Sequence, residues 1–503
     1  MTNSSPLFGS GDRRNLLWLA LISAVLFVVP LFFLDLPGGD ETRVAGITAE
    51  MAVDGDWRMP KLNGAPFLEY PPLYYAAGAV CCRVFGFTPF AVKLPAALAA
   101  GAGVLMLYAM MRVLRRPKRE SFAGAFMLAT GAQYLANAHN CRVDMMLAGF
   151  CVLAWLGFVL MEFSGGGAAR RLVGMVLCAA GIAGGVFTKN LPGLAIPLSG
   201  IGGALFFTQL AGRRFSFAAW CRLAGAVLLG ILPYALYLWL LHEKNDASSV
   251  RILLWDNNFG RFSGSRRDHS APWWFYLSRI FEQFHPYLPL LFAGLWLRGR
   301  ELFRRRSPRS ILLLSLLVLP FVMLSAASGK RQVYLLPLAA PAALIAASAL
   351  PWGIRFCRRF RRGAAALEFC RRRRRLLLGA AVLLSALVSG TVAGYISRRD
   401  SFAPVFAEAE RLRRGIPGGR LVLIRPSERL AGAAFFYRRA VTPELADWKR
   451  LKRNDIALAP LRAKHPLPPL PAGFAARRFP QADLVLVAAL PTAEERLSGA
   501  RTK

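Results

Sequence analysis

Five polar links between long apolar runs carry the acidic and basic side chains that could act on a substrate. These residues are, in chain order, Asp40, Glu41, Arg43 and Glu69 in the first link, Arg142 and Asp144 in the second, Lys189 in the third, Arg261 and His269 in the fourth, and Lys330 and Arg331 in the fifth. A carboxylate can act as a general base or bind a divalent cation. Arg holds a phosphate through a two-pronged fork and Lys through a point charge. Together they indicate a phosphorylated, lipid-borne substrate.

Each of these charges, taken alone, has a simpler interpretation as a solvated loop charge or an anchor at the membrane interface. An ionisable group at membrane depth costs about 2.5–3.5 kcal/mol on insertion scales, so such a group is by default a candidate for function. Because five separate links place charges on the same side of the topology predicted below, their convergence favours a functional site.

Metal binding is one use that the carboxylates could have. Asp40, Glu41 and Asp144 could hold a divalent cation, although we expect no required cofactor. A separate signal is Asp54-Gly55-Asp56, which resembles the Asp-X-Asp motif of soluble nucleotide-sugar enzymes but is equally typical of a turn. The eight cysteines show no metal-ligand spacing, so neither a zinc site nor a structural disulfide is expected.

The elements that must position these residues are membrane helices. The chain has 503 residues, 55% of them hydrophobic, and its apolar runs are long enough to cross a bilayer. The net charge of +36 would suggest nucleic-acid binding in a soluble protein. Here the basic residues cluster in short links between apolar runs, which is typical of the cytoplasmic loops of a polytopic membrane protein.

The basic links assign the sides of the membrane. Residues 112–119, 170–171, 213–222, 298–309 and 355–375 are predicted to be cytoplasmic. The segment 71–87 then has to lie along or dip into the outer face, since a full crossing there would place residues 112–119 outside. Eleven crossings follow, at residues 16–34, 90–111, 121–138, 143–163, 172–187, 191–210, 218–241, 273–297, 310–327, 332–352 and 376–396. The first is predicted to be a retained span with a cytoplasmic N-terminus, and the C-terminus falls outside.

The tail of the chain has a different character from residue 397 onward. Helices are predicted at 404–415, 428–437 and 444–453, and strands at 420–424, 456–461 and 483–490. This alternation indicates a small soluble α/β domain, 397–503, after a membrane domain, 1–396, whose first outer loop is 35–89. The Pro-rich stretch 465–471 is most simply a turn or spacer. Nothing in the tail has a catalytic pattern.

Several motifs resemble a known superfamily over most of residues 15–350. They are GDETR at 39–43, GDWRMPKLNGAPFLEYPPLYY at 55–75, FGFTPFAVKLPAAL at 85–98, NCRVDMML at 140–147, VFTKNLPGLAIPL at 186–198, NNFGRF at 257–262, HSAPWWFY at 269–276 and SGKRQVYLLPLAAPAAL at 328–344. Their order is similar to that in GT-C type polyprenyl-phosphate-sugar glycosyltransferases, specifically the bacterial aminoarabinose transferase group and its protein O-mannosyltransferase-like relatives in glycosyltransferase family 39. The resemblance implies an all-α membrane fold of about 11–13 transmembrane helices with a large first periplasmic loop.

The resemblance also implies roles for residues at matched motif positions. Asp40, Glu69 and Asp144 resemble the acidic residues of the catalytic loops. The donor-phosphate and substrate-binding set would be Arg43, Tyr70, Arg142, Lys189, Arg261, His269, Lys330 and Arg331. The chain departs from the family at Tyr70, because Glu69-Tyr70-Pro71-Pro72 stands where the family commonly reads Glu-Lys-Pro-Pro. A phenol thus replaces a cation expected beside the phosphate.

The function implied is transfer of a sugar from polyprenyl (undecaprenyl) phosphate to an acceptor at the periplasmic face of the bacterial inner membrane. The acceptor of the aminoarabinose group is lipid A, whereas other relatives modify proteins or other glycans. A phosphate leaves as a stable anion and needs cations more than a proton. A hydroxyl acceptor would need a base, for which Asp40 is best placed, whereas a phosphate acceptor would arrive already anionic.

A transporter or flippase of lipid-linked sugars is the alternative from another class. Transporters commonly show repeated halves and charges near the midplane. No such repeat is visible in this sequence, and the charges lie in the outer links, which favours the transferase.

Overall fold

The computed structural model describes residues 8–245, 247–259, 270–461 and 470–489. Its α-helices are α1 (Ser10–Ser23), α2 (Asp40–Asp54), α3 (Leu73–Phe85), α4 (Pro89–Val113), α5 (Lys118–Thr130), α6 (Ala132–Ala138), α7 (Val143–Phe163), α8 (Ala168–Lys189), α9 (Leu191–Gly212), α10 (Phe217–Asn245), α11 (Ala247–Arg251), α12 (Phe275–Phe284), α13 (Leu288–Arg305), α14 (Pro308–Ala326), α15 (Ala339–Ser348), α16 (Leu350–Arg358), α17 (Arg361–Arg372), α18 (Arg374–Arg399), α19 (Ala403–Gly415) and α20 (Glu428–Arg438). Its strands are β1 (Lys61–Leu62), β2 (Ala65–Pro66), β3 (Arg420–Ile424), β4 (Glu444–Leu445), β5 (Asp455–Pro460), β6 (Phe474–Phe479) and β7 (Leu484–Ala489). The mostly helical fold class with a small C-terminal sheet is confirmed.

Nine helical segments among the described residues are long and apolar enough to cross a membrane. They are Ser10–Phe33, Pro89–Val113, Val143–Phe163, Ala168–Lys189, Leu191–Gly212, Phe217–Glu243, Pro308–Ala326, Gln332–Arg358 and Arg374–Arg399, and each overlaps one predicted crossing. The two remaining predicted crossings, 121–138 and 273–297, are each divided into two shorter helices. The segment predicted to dip into the outer face contains the short apolar helix α3.

Sequence explains both divisions. Gly131 separates α5 from α6 with an extended backbone (ψ 128°), which ends the helical hydrogen-bond pattern. Pro286 follows α12, and His285 before it is extended (ψ 141°) because a proline disfavours the helical conformation in the residue that precedes it.

Close packing of small residues joins α7 to α8. A Cβ atom on Gly157 would lie 2.2 Å from the backbone nitrogen of Cys178, so only glycine permits this approach. Small residues serve this purpose in membrane bundles, where lipid removes the hydrophobic drive between helices. This contact fixes the distance between α7 and α8 and so helps to position the residues at their ends.

The described residues group into two compact units. One comprises the residues up to Phe32, Leu68–Tyr74 and Lys93–Gly390, and the other comprises Phe33–Phe67, Tyr75–Val92 and the residues from Thr391 onward. The first link therefore divides between the units, and α2 with the β1–β2 hairpin groups with the tail. The sequence did not suggest that grouping, and the domain boundary at residue 396 stays a prediction.

A five-stranded mixed sheet forms the centre of the tail, in the order β4-β3-β5-β7-β6. Strand β3 pairs in parallel with β4 and β5, and β7 pairs antiparallel with β5 and β6. One face buries Leu421, Leu423 and Ile456 beneath α19 and α20, and the other buries Val422 with Trp448. A sheet covered on both faces agrees with the predicted α/β class.

One local prediction for the tail was wrong, and one strand was missed. The helix predicted at 444–453 is instead the short edge strand β4 and a 3-10 turn at Trp448–Arg450, because parallel pairing with β3 overrides the local helical pattern. The edge strand β6 was not predicted, since most of its side chains are exposed and its sequence shows no apolar alternation. Part of the Pro-rich stretch 465–471 lies outside the described residues.

Candidate functional site

A buried ion pair joins Lys189 to Asp144. The ammonium of Lys189 donates to Oδ1 of Asp144, and the side chains are only 7% and 12% exposed. Asp144 lies in the first turn of α7 and Lys189 in the last turn of α8, so each charge stands at the helix end whose dipole favours it. Buried charges persist when they are paired in this way.

Two tyrosine rings face the same ammonium. Nζ of Lys189 lies 4.3 Å from the ring centre of Tyr334 and 5.8 Å from that of Tyr70, within the range of cation–π attraction. Burial raises the pKa of the Tyr70 phenol, so Tyr70 stays neutral and supplies no positive charge. Where the family pattern has a cation, this chain has the aromatic ring of Tyr70. The positive charge nearby comes from Lys189 at the end of α8, 5.8 Å from the centre of that ring.

The turn after Lys189 is fixed by Asn190. Its backbone adopts φ +54°. Its side-chain Nδ2 donates to the carbonyl of Leu253 at 3.1 Å, and its side-chain Oδ1 accepts from the hydroxyl of Tyr234. A Cβ atom on Gly193 would lie 2.0 Å from the backbone of Gly185, so the start of α9 lies directly on the end of α8. The lysine is therefore placed by a rigid helix end.

Lys330 is held by backbone carbonyls. Its ammonium donates to the carbonyl of Ala271 at 2.9 Å and to that of Ala327, and desolvation by burial lowers its pKa. Ser270 and Gly329 form an isolated β-bridge that ties the two segments together. An ammonium has three hydrogens, and two of them are directed at these backbone carbonyls.

Three further predicted residues belong to the same unit as Lys189. Arg142 occupies the N-cap position of α7 without a side-chain capping bond, and its buried Nε has no hydrogen-bond partner within the described part of the chain. Arg331 precedes the 3-10 helix Gln332–Leu338, and its carbonyl accepts from Tyr276 at 3.3 Å. Glu69 is half-buried directly before Tyr70. Arg261 and His269 lie outside the described residues.

The other predicted residues begin α2, in the unit that contains the tail. Asp40 and Glu41 occupy its first turn, where the helix dipole favours carboxylates. Glu41 is buried, and Asp40 keeps 18% of its side chain exposed. Arg43 forms a 2.7 Å ion pair with Glu428, a residue of the tail to which the sequence assigned no role.

Metal binding finds no support in the described part of the chain, where no three His, Cys, Asp or Glu side chains are grouped to hold an ion. The metal site of Asp40, Glu41 and Asp144 stays a prediction. Gly55 ends α2 with φ +72°, and Lys61 lies 3.1 Å from Asp54 and 3.9 Å from Asp56. The Asp54-Gly55-Asp56 motif is thus a helix-ending turn.

Sequence reasoning missed Tyr334, Lys93 and Glu50. Tyr334 gave no signal, because it lies in an apolar run and only its fold position brings it to Lys189. Lys93 is buried within a predicted span, which is a signal that could have found it. Glu50 is buried in α2, where Oε1 accepts from the amide of Gly64 at 2.7 Å and burial raises its pKa.

Comparison with known proteins identifies the fold. The undecaprenyl phosphate-alpha-4-amino-4-deoxy-L-arabinose arabinosyl transferase of Pseudomonas aeruginosa is 30% identical over 344 residues, covering 67% of this chain and 60% of that protein. The crystal structure of ArnT from Cupriavidus metallidurans bound to undecaprenyl phosphate matches 94% of this chain and 97% of that chain, with a TM-score of 0.74 at 20% identity. The chain has the ArnT fold.

A more distant structure shares part of the ArnT fold. The oligosaccharyltransferase of Archaeoglobus fulgidus matches 87% of this chain and 64% of its own length, with a TM-score of 0.53 at 13% identity. No family model matches the chain. The chain spans about 60% of the length of the curated arabinosyl transferase that it matches. The expected resemblance to lipid-phosphate-sugar transferases is confirmed, and the chain is a multi-pass membrane protein.

Proposed function

We propose that this protein is an integral-membrane glycosyltransferase that moves a sugar from undecaprenyl phosphate to an acceptor. The observation that carries the proposal is the pair of buried, rigidly held ammonium groups in one unit of an ArnT fold. Lys189 is held by Asp144 and two rings, and Lys330 by two carbonyls. Preorganised cations of this kind stabilise a departing phosphate without reorganising during the reaction.

The chemistry needs one bond made and one broken. The acceptor oxygen attacks the anomeric carbon of the sugar, and the bond from that carbon to the phosphate oxygen breaks. The electron pair leaves with undecaprenyl phosphate, whose anionic charge would be stabilised by Lys189, Lys330 and the guanidinium of Arg142, whose Nε is buried. A hydroxyl acceptor would also give up a proton, for which Asp40 is the proposed base, whereas a phosphate acceptor has no proton to lose.

The relatives and the charge pattern support the identity of the substrates and the site of action. The curated relative is named for transfer of 4-amino-4-deoxy-L-arabinose, and the acceptor proposed from the resemblance is lipid A. The basic links alternate with the links that carry the carboxylates, which supports chemistry at the periplasmic face of the bacterial inner membrane. In this proposal residues 1–396 form the membrane domain and 397–503 a periplasmic domain.

Reconstitution tests the proposal directly. The full chain in nanodiscs is given undecaprenyl phosphate-linked aminoarabinose and lipid A, and modified lipid A is measured by mass spectrometry. Transfer is expected with the wild type and is expected to be lost in Asp40→Asn with its thermal unfolding unchanged. Near-normal turnover in Asp40→Asn would remove Asp40 from the mechanism. Donor consumption without modified lipid A would move the acceptor to a protein or polysaccharide, and no consumption would favour a transporter.

A further inference from the structure

Helix α2 of the first link lies in direct backbone contact with α20 of the tail. A Cβ atom on Gly46 would lie 2.3 Å from the carbonyl oxygen of Gly432, and one on Gly432 would lie 2.6 Å from Cα of Arg43. Neither position accepts a larger residue without separating the helices. Two glycines distant in sequence therefore set the distance between the acidic helix and the sheet domain.

Side chains anchor the same contact on both sides of the glycines. The hydroxyl of Thr42 donates to the carbonyl of Arg429 at 3.1 Å, and Arg43 pairs with Glu428 at 2.7 Å. The amide of Asn63 in the β1–β2 turn donates to the carbonyl of Thr442 at 2.9 Å, and its oxygen accepts from the Thr442 backbone at 2.8 Å. Helix α2 and the hairpin after it are thus both fixed to the tail.

The residues just before Asp40 are also held by the tail. The amide of Gly38 donates to the carbonyl of Asp400 at 2.6 Å, and Pro37 forms a β-bridge with Ser401. The ring of Phe402 occupies the space beside Gly38, where a Cβ atom would lie 1.9 Å from it. Residues from 400 onward therefore position both the segment before Asp40 and helix α2, which Asp40 begins.

One side chain of the tail reaches Asp40 itself. Nη2 of Arg429 lies 4.0 Å from Oδ1 of Asp40, with the arginine side chain 56% exposed and the carboxylate 18% exposed. Arg429 is the second residue of α20, and its own backbone is fixed by Thr42. The guanidinium thus approaches the carboxylate from a rigid helix end.

We propose that Arg429 is a positioning residue that orients the Asp40 carboxylate, and that the sheet domain is the platform that holds it there. The inference rests on the proposed function, because Asp40 is the acid assigned to the reaction. A guanidinium 4.0 Å from a partly exposed carboxylate attracts it electrostatically and so favours one orientation of that side chain. The neighbouring residue Glu428 has a different role, because it forms an ion pair with Arg43 of α2 and not with Asp40.

The test compares two variants of Arg429 with a matched control in the nanodisc assay. Arg429→Ala is expected to lower kcat about tenfold with the donor KM changed less than about twofold, because a misoriented base slows chemistry more than binding. Arg429→Lys is expected to restore most of kcat. The control is Arg414→Ala, which removes another exposed arginine of the tail, paired with Glu410 at 3.2 Å. It is expected to keep wild-type kinetics.

The outcomes separate the inference from the proposed function. A wild type that transfers no sugar contradicts the proposed function. An active wild type with unchanged kcat in Arg429→Ala overturns the positioning role. An equal loss in Arg429→Ala and Arg429→Lys with a lower Tm in both would also overturn it, since that pattern shows a structural role only.

A measurement without substrate tests the platform. Gly432→Val should force α20 away from α2, and hydrogen exchange of the α2 amides should become at least about tenfold faster because exchange reports local opening. Gly415→Val is the control, because a Cβ atom there meets no atom within 4 Å. Unchanged exchange in Gly432→Val would overturn the platform.

Discussion

Lys189 and Asp144 form one buried ion pair between the last turn of α8 and the first turn of α7. The two residues are 45 positions apart in sequence, yet each stands at the helix end that stabilises its charge. The pair therefore has a structural role as well as the proposed role at the donor phosphate, and mutation can separate the two.

The first prediction uses that separation. Asp144→Asn leaves a buried ammonium without its counter-charge and is expected to lower the free energy of unfolding by about 3–5 kcal/mol, as is typical when one partner of a buried pair is removed. The double variant Asp144→Asn, Lys189→Met should recover most of that stability but no sugar transfer. Thermal unfolding in detergent and the nanodisc assay measure the two effects. Recovery of activity in the double variant would exclude the pair from the chemistry.

The second prediction concerns Tyr70. Tyr70→Phe keeps the ring against Lys189 and is expected to retain most activity, since the neutral phenol supplies no charge. Tyr70→Lys brings a second ammonium beside the first and should lower stability by about 1 kcal/mol or more through like-charge repulsion. Undecaprenyl phosphate should then raise the Tm of Tyr70→Lys more than that of the wild type. Equal shifts would argue against phosphate binding near residue 70.

The third prediction is an alkaline limit set by Lys330. Burial lowers the pKa of this lysine below the usual 10.5, so its charge is lost at a lower pH than that of an exposed lysine. If the charged form binds the donor phosphate, kcat/KM should fall as pH rises toward 10.5. Lys330→Arg keeps its charge over this range and should move the fall to higher pH. If kcat/KM fell at the same pH in the wild type and in Lys330→Arg, the fall would be due to another group.

The fourth prediction concerns the buried carboxyl of Glu50. Its pKa is raised, chiefly by burial, so between the unfolded value near 4.5 and the higher folded value the native state binds more protons than the unfolded state. Stability contributed by this group is therefore complete at acid pH and lost as pH rises through that window. Glu50→Gln should be more stable than the wild type at neutral pH and less dependent on pH. Denaturant unfolding at several pH values measures the slope, and parallel slopes would contradict the assignment.

The nine long apolar helices of the described residues could be predicted because length and hydropathy are enough to recognise a candidate span. The two divided crossings, 121–138 and 273–297, contain residues that end a helix, Gly131 and Pro286. Hydropathy averaged over a whole span does not detect such helix breaks. Lys189 and Asp144 could be selected from the sequence as polar residues at helix ends. Tyr334 could not, because nothing local distinguishes it from a lipid-facing aromatic residue.

The tail shows the limit of local pattern most clearly. Strands β3, β5 and β7 were predicted because their buried side chains form short apolar runs. The contact of Arg429 with Asp40 and the pairing of β4 with β3 depend on long-range geometry that no window of sequence contains. The tail has no catalytic pattern in its own sequence. Its contacts with α2 show that it can still position a residue of another segment, here Asp40.

The bond between Asn63 and Thr442 spans 379 residues, and this distance has a consequence for biosynthesis. A ribosome makes α2 and its hairpin well before it makes their partners in the tail. The acidic helix must therefore remain without these contacts until synthesis has passed Thr442. A product truncated after α18 would keep the nine candidate spans of the described residues and still lack the contacts that hold α2. If Asp40 acts as proposed, the late contact would restrict activity to chains that have been translated through the sheet.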